Sequence, residues 1–321
     1  LRSDLARTYE AVTPDQILVT TGAIEANYLL VNTLLEAGDH VVSVFPAYQQ
    51  LYSVAKAIGC DISLWNIVED GGNYHFDLDE LERLVKPETK MILINTPNNP
   101  TGALLSGDEL KRIYALAESI DAYVLSDEAY RWLDIPGGEP LAGPMRNLGP
   151  RAISVGTFSK PFGLPGLRIG WLAATEEIVK ACWSARDYVS LAPGGLSDFL
   201  ASIALRERGK IVKRNQDIMR QNLDYAEGWF ARHSELASWN VPRGGLLALV
   251  KYNVELPSDH VANTLAQDYS VMLAPGSTFG YEGHLRIGIG QTPEIFAEGL
   301  ERTAQCLERL TLQQTAGVGS R

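Results

Sequence analysis

The chain has 321 residues, 45% of them hydrophobic, with 28 basic against 39 acidic residues and a net charge of −11. That length and apolar content suffice for one large or two medium domains with substantial cores, while the acidic balance argues against a nucleic-acid or anionic-membrane footprint and suits a soluble metabolic protein. Three widely spaced cysteines, Cys60, Cys182 and Cys306, show neither CxxC nor Cys/His ligand spacing, so no metal site is expected and a reducing cytoplasm is the expected compartment.

The first residues, LRSDLARTYE, do not resemble a signal peptide, and without an initiating Met the chain is expected to be a fragment. No apolar run reaches membrane-spanning length. Strand-like and helix-like segments alternate without an internal repeat. Buried strands are expected near Ile17–Thr20, His40–Val44, Asp61–Trp65, Met91–Asn95, Tyr123–Ser126, Ile153–Thr157 and Ile169–Ala173, with helices between most of them. The expected fold is therefore α/β: a large domain with a seven-stranded, mostly parallel sheet flanked by helices, followed by a smaller α+β C-terminal domain.

Candidate functional residues gather at the carboxyl ends of these strands. After the first strand, Thr20-Thr21-Gly22-Ala23-Ile24-Glu25-Ala26 opens an apolar-periodic helix; glycine there lets backbone approach a ligand, and free first-turn amides suit an anion. A plain strand-to-helix turn would look the same. Phe45-Pro46-Ala47-Tyr48 follows the second strand and puts an aromatic at the sheet edge, either to stack on a planar ring or to pack under a loop. Asn95-Thr96-Pro97-Asn98-Asn99-Pro100-Thr101-Gly102 ends the fourth strand as a rigid polar loop, in which Asn99 can donate a hydrogen bond to a phenolate oxygen. Ser126-Asp127-Glu128-Ala129-Tyr130 ends the fifth. A carboxylate in such apolar surroundings needs a partner, either a protonated ring nitrogen or the amides of a helix it caps.

The sixth strand runs into Thr157-Phe158-Ser159-Lys160, then a turn forced by Gly163, Pro165 and Gly166, then Arg168. A half-desolvated lysine near another cation has a lowered pKa and a nitrogen free to attack a carbonyl carbon, which is Schiff-base chemistry. Taken alone, Lys160 would be an ordinary surface residue. Thr157, Ser159 and the fork of Arg168 suit a phosphate, Ser159 less so because its side chain can face away along the strand. The pattern then turns helical: a linking helix is expected within 206–234, leaving 1–205 as the large domain, 235–310 as the small one and 311–321 as a flexible tail. In the small domain Val271-Met272-Leu273 belongs to the α+β pattern, and Arg286, within Leu285-Arg286-Ile287-Gly288, alternates with apolar neighbours, where a buried guanidinium needs either an anionic ligand or an internal salt bridge.

These strings, in this order, resemble the fold-type I pyridoxal-phosphate enzymes, the aspartate aminotransferase superfamily, from Arg2 to about Leu310. Its cofactor-lysine signature resembles Thr157–Gly170; its NPNNPTG loop resembles the octet at 95–102, only Thr96 departing; its Asp-x-x-Tyr pair resembles Asp127 and Tyr130. Its Pro-Gly-x-x-Phe-Gly turn resembles 275–280. The resemblance implies pyridoxal 5'-phosphate as cofactor, with Gly22, Ala23 and Ile24 giving backbone to the phosphate beside Thr157, Ser159 and Arg168. Tyr48 stacks on the ring, Asn99 and Tyr130 bond its oxygen, Asp127 keeps its nitrogen protonated, and Arg286, with Asn99, meets the substrate α-carboxylate. Lys160 is then both Schiff-base residue and base for the α-proton.

The implied activity is transfer of an amino group between an L-amino acid and a 2-keto acid, by a homodimer with no nucleic-acid or membrane partner. A lyase, cyclase or decarboxylase on the same scaffold remains the alternative, since substrate placement selects the bond broken. A non-catalytic pyridoxal-phosphate module of a transcription regulator is a lesser one, and a dinucleotide-binding protein lacks GxGxxG after the first strand. The arm that in relatives completes the small domain, lines the pocket and bridges the dimer would lie before Leu1. Relatives acting on dicarboxylates usually carry a basic residue in the segment corresponding to Tyr188–Leu205, which here has no Lys or Arg, so aspartate is not the expected preferred substrate.

Overall fold

A computed structural model describes residues 1–318. After a short helix α1 (Arg2–Ala6), β1 (Ile17–Thr20) leads into α2 (Ala23–Leu34), β2 (His40–Phe45), α3 (Gln50–Ile58), β3 (Asp61–Asp70) and β4 (Asn73–Phe76). Then come α4 (Leu78–Leu84), β5 (Thr89–Asn95), α5 (Gly107–Ser119), β6 (Tyr123–Asp127), β7 (Ala152–Thr157) and β8 (Gly170–Ala173). The helices α6 (Glu176–Arg186), α7 (Gly195–Arg206) and α8 (Arg208–Arg232) lead to β9 (Ala237–Trp239), β10 (Leu247–Tyr252), α9 (Ser258–Tyr269), β11 (Ala274–Pro275), β12 (His284–Gly288) and α10 (Pro293–Val318).

The large sheet has the order β1-β8-β7-β6-β5-β2-β3-β4. Its centre, β2, β5, β6 and β7 together with β3, is parallel, whereas β8 runs antiparallel to both β7 and β1. The central strands are mostly apolar and almost wholly buried because helices cover both faces; β7 is buried at every residue. Helix α5 shows how local sequence sets an element. Ser106 Oγ accepts from Glu109 N–H at 3.3 Å while Glu109 Oε2 accepts from Ser106 N–H at 2.7 Å, and Leu110, Ile113, Tyr114 and Ala117 then bury one face at helical spacing.

Two expectations are corrected. The sheet has eight strands, not seven, because β3 runs on to Asp70 and folds back through Gly71-Gly72 into β4, whose Tyr74 and Phe76 alternate inward. The flexible tail placed at 311–321 is helical as far as Val318, since neither Gly nor Pro occurs between Leu310 and Ala316, and Gln314 is docked by hydrogen bonds to the backbone of Glu255. The rest of that tail lies outside the described residues.

The second sheet, order β11-β12-β10-β9, is antiparallel and packs with α8, α9 and α10 around Trp229, Val261, Ile289 and Leu307. Val271-Met272-Leu273 is irregular chain ahead of β11. The two sheets meet where the Gly102 carbonyl accepts from Arg243 and Gly244 N–H and where Gln49 Nε2 donates to Thr278 O at 2.9 Å. From β2 the chain steps outward to β3 and β4; from β5 it steps the other way to β8. The strand order therefore reverses between β2 and β5, and the crevice beyond the carboxyl ends there is where an open α/β sheet takes its ligand.

Candidate active site

At one end of that crevice stands the turn from β1 into α2. Gly22, at φ 90°, is the residue before the helix, and the first-turn amides of α2 have no intrahelical acceptor. Two glycines allow the packing: a Cβ on Gly22 would lie 2.9 Å from Arg168 Nη2, and one on Gly170 only 2.3 Å from the Gly22 carbonyl carbon. Arg168 itself is in the left-handed region at φ 53°, with Nη1 donating to Pro165 O at 3.0 Å. Behind the turn, Glu25 accepts from Thr21 N–H and Oγ1–H, both at 2.5 Å, and from Ser190 Oγ.

The ends of β5 and β6 form the floor. Their register sets Asn95 opposite Asp127. Asn95 Nδ2 donates to Asp127 O at 2.9 Å and its Oδ1 accepts from Asn99 N–H at 2.7 Å, while Asn98 braces the loop by donating to Pro46 O and accepting from Thr101. The adjacent carboxylates separate by strand alternation. Glu128 turns away into the protein, accepting from Ser154 Oγ at 2.6 Å and Met145 N–H at 2.8 Å, so only Asp127 of the pair faces the crevice. Asp127 Oδ2 accepts from Asn27 Nδ2 at 2.8 Å and Oδ1 from Ala129 N–H at 3.0 Å.

Lys160 follows β7 in the turn that returns through Gly163. Its side chain reaches solvent through the crevice mouth, yet protein crowds the amine. That desolvation, reinforced by the Arg286 and Arg168 charges and opposed by Asp127, holds its pKa below the ordinary lysine value. Burial raises the Asp127 carboxyl, against the hydrogen bonds from Asn27 and Ala129 and the Lys160 charge. It also raises the hydroxyls of Tyr48 and Tyr130, which therefore stay protonated as donors. Arg286, on β12, enters from the second sheet, where Nη1 donates to Asn99 Oδ1 at 3.1 Å and the guanidinium lies 5.0 Å from the Phe279 ring centroid. This leaves Asn99 Nδ2 free of that bond.

One cavity of about 360 Å³ is lined by every residue singled out from the sequence, from Gly22 to Arg286. The sequence reading missed Asn27 and Asn95, which also line it. Asn95 lay within the octet and could have been found there; Asn27 is a helical residue whose partner is 100 positions away. Thr157 Oγ1 donates to Ile169 O at 3.1 Å, lies 3.1 Å from Ser159 Oγ and accepts from Ser159 N–H at 3.1 Å.

The donor set fits pyridoxal phosphate: amides, hydroxyl and guanidinium at one end for a dianion, a buried carboxylate at the other for a protonated ring nitrogen, and an amine with lowered pKa between them.

The family model "Aminotransferase class I and II" matches residues 1–302. Capreomycidine synthase of Streptomyces vinaceus is 31% identical over 307 residues, covering 95% of this chain and 78% of that protein. Among solved structures, a PLP-dependent aminotransferase from Streptococcus suis 89-1591 superposes with a TM-score of 0.91 at 36% identity, covering 96% of this chain and 81% of that one. The PLP-dependent cyclase OrfR superposes with a TM-score of 0.88 at 33% identity, covering 96% and 82%.

Proposed function

The chain belongs to the class I and II aminotransferase family, and from that membership we propose how its own residues divide the work of moving an amino group between an amino acid and a 2-keto acid. Pyridoxal phosphate is the cofactor, and when bound it supplies an electron-poor ring that accepts the electron pair left as a bond at the substrate α-carbon breaks. The observation that carries the division is the meeting of Lys160, Asp127 and Arg286 around one cavity.

The Gly22–Ile24 amides, Ser159 and Arg168 hold the phosphate, with Thr157 supporting Ser159. Tyr48 covers the ring, Asn99 Nδ2 and Tyr130 Oη donate to its oxygen, and the Asp127 carboxylate holds a proton at its nitrogen. The Arg286 fork binds the substrate carboxylate, which fixes the α-carbon near Lys160. Lys160 would hold the cofactor through Nζ and, once released, would take the α-proton at Nζ and return it to the cofactor carbon. Its lowered pKa enlarges the share of the amine that is neutral, as a base needs.

Residues 1–205 act as the cofactor-binding unit, 206–234 as the connecting helix, and the remainder, now with all of α10, as the substrate-closing unit. The working form is a homodimer. Its support is an exposed apolar surface near the phosphate end of the crevice, where Trp183, Tyr188, Leu191, Leu196 and Phe199 stand out and Tyr188 is 93% exposed. Three free, buried cysteines suit a reducing compartment, and the cytoplasm is the assigned one.

A second outcome on the same residues, elimination and ring closure, is favoured by the likeness to OrfR, named a cyclase. Incubating the holoenzyme with single amino acids separates the two. Transamination gives one equivalent of keto acid per site, and a second keto acid restores the starting spectrum. Ammonia released together with keto acid well beyond one equivalent per site and with the spectrum unchanged, or a cyclised product, would establish the other outcome.

A further inference from the structure

Asp127 is 3% exposed, and the groups that satisfy it are neutral amides: Ala129 N–H from its own turn on Oδ1 and Asn27 Nδ2 from α2 on Oδ2. Asn27 is itself 2% exposed and is steered from the side by Gln50, whose Oε1 lies 3.5 Å from Asn27 Nδ2 and whose Nε2 donates to Ile24 O at 2.6 Å. Its own Oδ1 is buried without a hydrogen-bond partner among the described residues, an orphaned atom at the cavity wall. A buried polar side chain is kept at that cost where its other half does something an apolar one would not.

We propose that Asn27 is a positioning residue for Asp127: its amide holds Oδ2 as an acceptor and so keeps the carboxylate ionised and aimed at the ring nitrogen of bound pyridoxal phosphate. A carboxylate buried without such a donor takes up a proton and can no longer hold one on the ring. The side chain of Asn27 donates to the carboxylate form without adding a charge to the crevice, where a cation in its place would compete with the ring nitrogen for Asp127. The placement has a geometric consequence. Ala23 and Asn27 are four residues apart on one helix, roughly 6 Å along its axis. The first-turn amides of α2 face the phosphate end, and one turn later the same rigid element reaches the nitrogen end, so α2 sets the spacing of both.

The inference rests on the reading that Asp127 faces the ring nitrogen, and the test separates the two. Dissociation constants are measured for pyridoxal phosphate and for its deaza analogue, with carbon in place of the ring nitrogen, by equilibrium dialysis against the wild type, Asn27→Leu, Asn27→Ser and Asp127→Asn. Both Asn27 variants are expected to bind pyridoxal phosphate about tenfold more weakly, the scale of a lost hydrogen bond to a charged group, with the deaza analogue unaffected. The serine variant keeps the test alive if leucine prevents folding. Equal weakening toward both compounds, or none, overturns the role of Asn27 and leaves the Asp127 reading standing. If Asp127→Asn itself fails to discriminate between the compounds, that reading falls and the inference with it.

Discussion

Burial raises the Asp127 carboxyl above its ordinary range in the protein free of cofactor, and the consequence for stability has a definite sign. The unfolded value is about 3.9. Because the folded value is higher, the folded state binds more protons than the unfolded chain across the interval between the two, so the Asp127 contribution is fully present below about pH 3.9 and is lost as pH rises through the folded value. Asp127→Asn removes that loss. The variant is expected to lack turnover yet to melt higher than wild type when both are free of cofactor at pH 8, with a smaller gain at pH 5. Calorimetric melts at the two pH values check this; a variant less stable at both would contradict it. Arg286 faces the opposite balance, a half-buried guanidinium whose partners are Asn99 and an aromatic face. Losing a charge-assisted fork of about 3 kcal/mol, Arg286→Leu should lower kcat/KM by about 10²-fold, mostly through KM, in steady-state assays. An unchanged KM would remove Arg286 from the carboxylate site.

Among the elements, the joint between β8 and the start of α2 has no room for a side chain. A methyl at Gly170 would overlap the Gly22 carbonyl carbon and the Ala23 nitrogen, 2.3 Å and 2.5 Å away, and neither backbone atom can yield without moving the phosphate cradle. Gly170→Ala should therefore cost about 2 kcal/mol in stability and weaken cofactor affinity in equilibrium dialysis; unaltered affinity would detach the cradle from the phosphate. That joint was half legible. Strings such as Asn-Pro-Thr-Gly and Ser-Asp-Glu-Ala-Tyr sit at strand ends, where turn chemistry is local and composition reveals it. That they converge depends on strand order and register, such as Asn95 facing Asp127, which no local pattern encodes. The β3–β4 hairpin was missed although Gly71-Gly72 between two β-prone runs is a recognised signal; Trp65 was read as the strand's end, whereas β3 continues to Asp70. Asn27 was invisible for a different reason. Asparagine within an apolar-periodic helix carries no motif, and its role appears only when α2 is laid against the end of β6.

At the scale of the whole molecule, the cavity draws residues from both sheets, and an exposed apolar surface lies beside it. Ser190, in the loop between α6 and α7, bonds Glu25 behind the phosphate cradle, so the chain that carries Tyr188 and Leu191 is tied to the cradle itself. A second copy covering that surface would hold the loop in place. The double variant Leu196→Glu with Phe199→Glu is expected to shift the protein from dimer to monomer in sedimentation velocity and to weaken cofactor retention; a wild type that sediments as a monomer would contradict the assembly. The central claim, that Lys160 is the residue through which this protein holds its cofactor and does its chemistry, is tested most directly by reducing the holoenzyme with borohydride and mapping the pyridoxyl label by peptide mass spectrometry. The label should fall on Lys160, with none retained by Lys160→Ala. A label on any other lysine, with Lys160 unmodified, would contradict it.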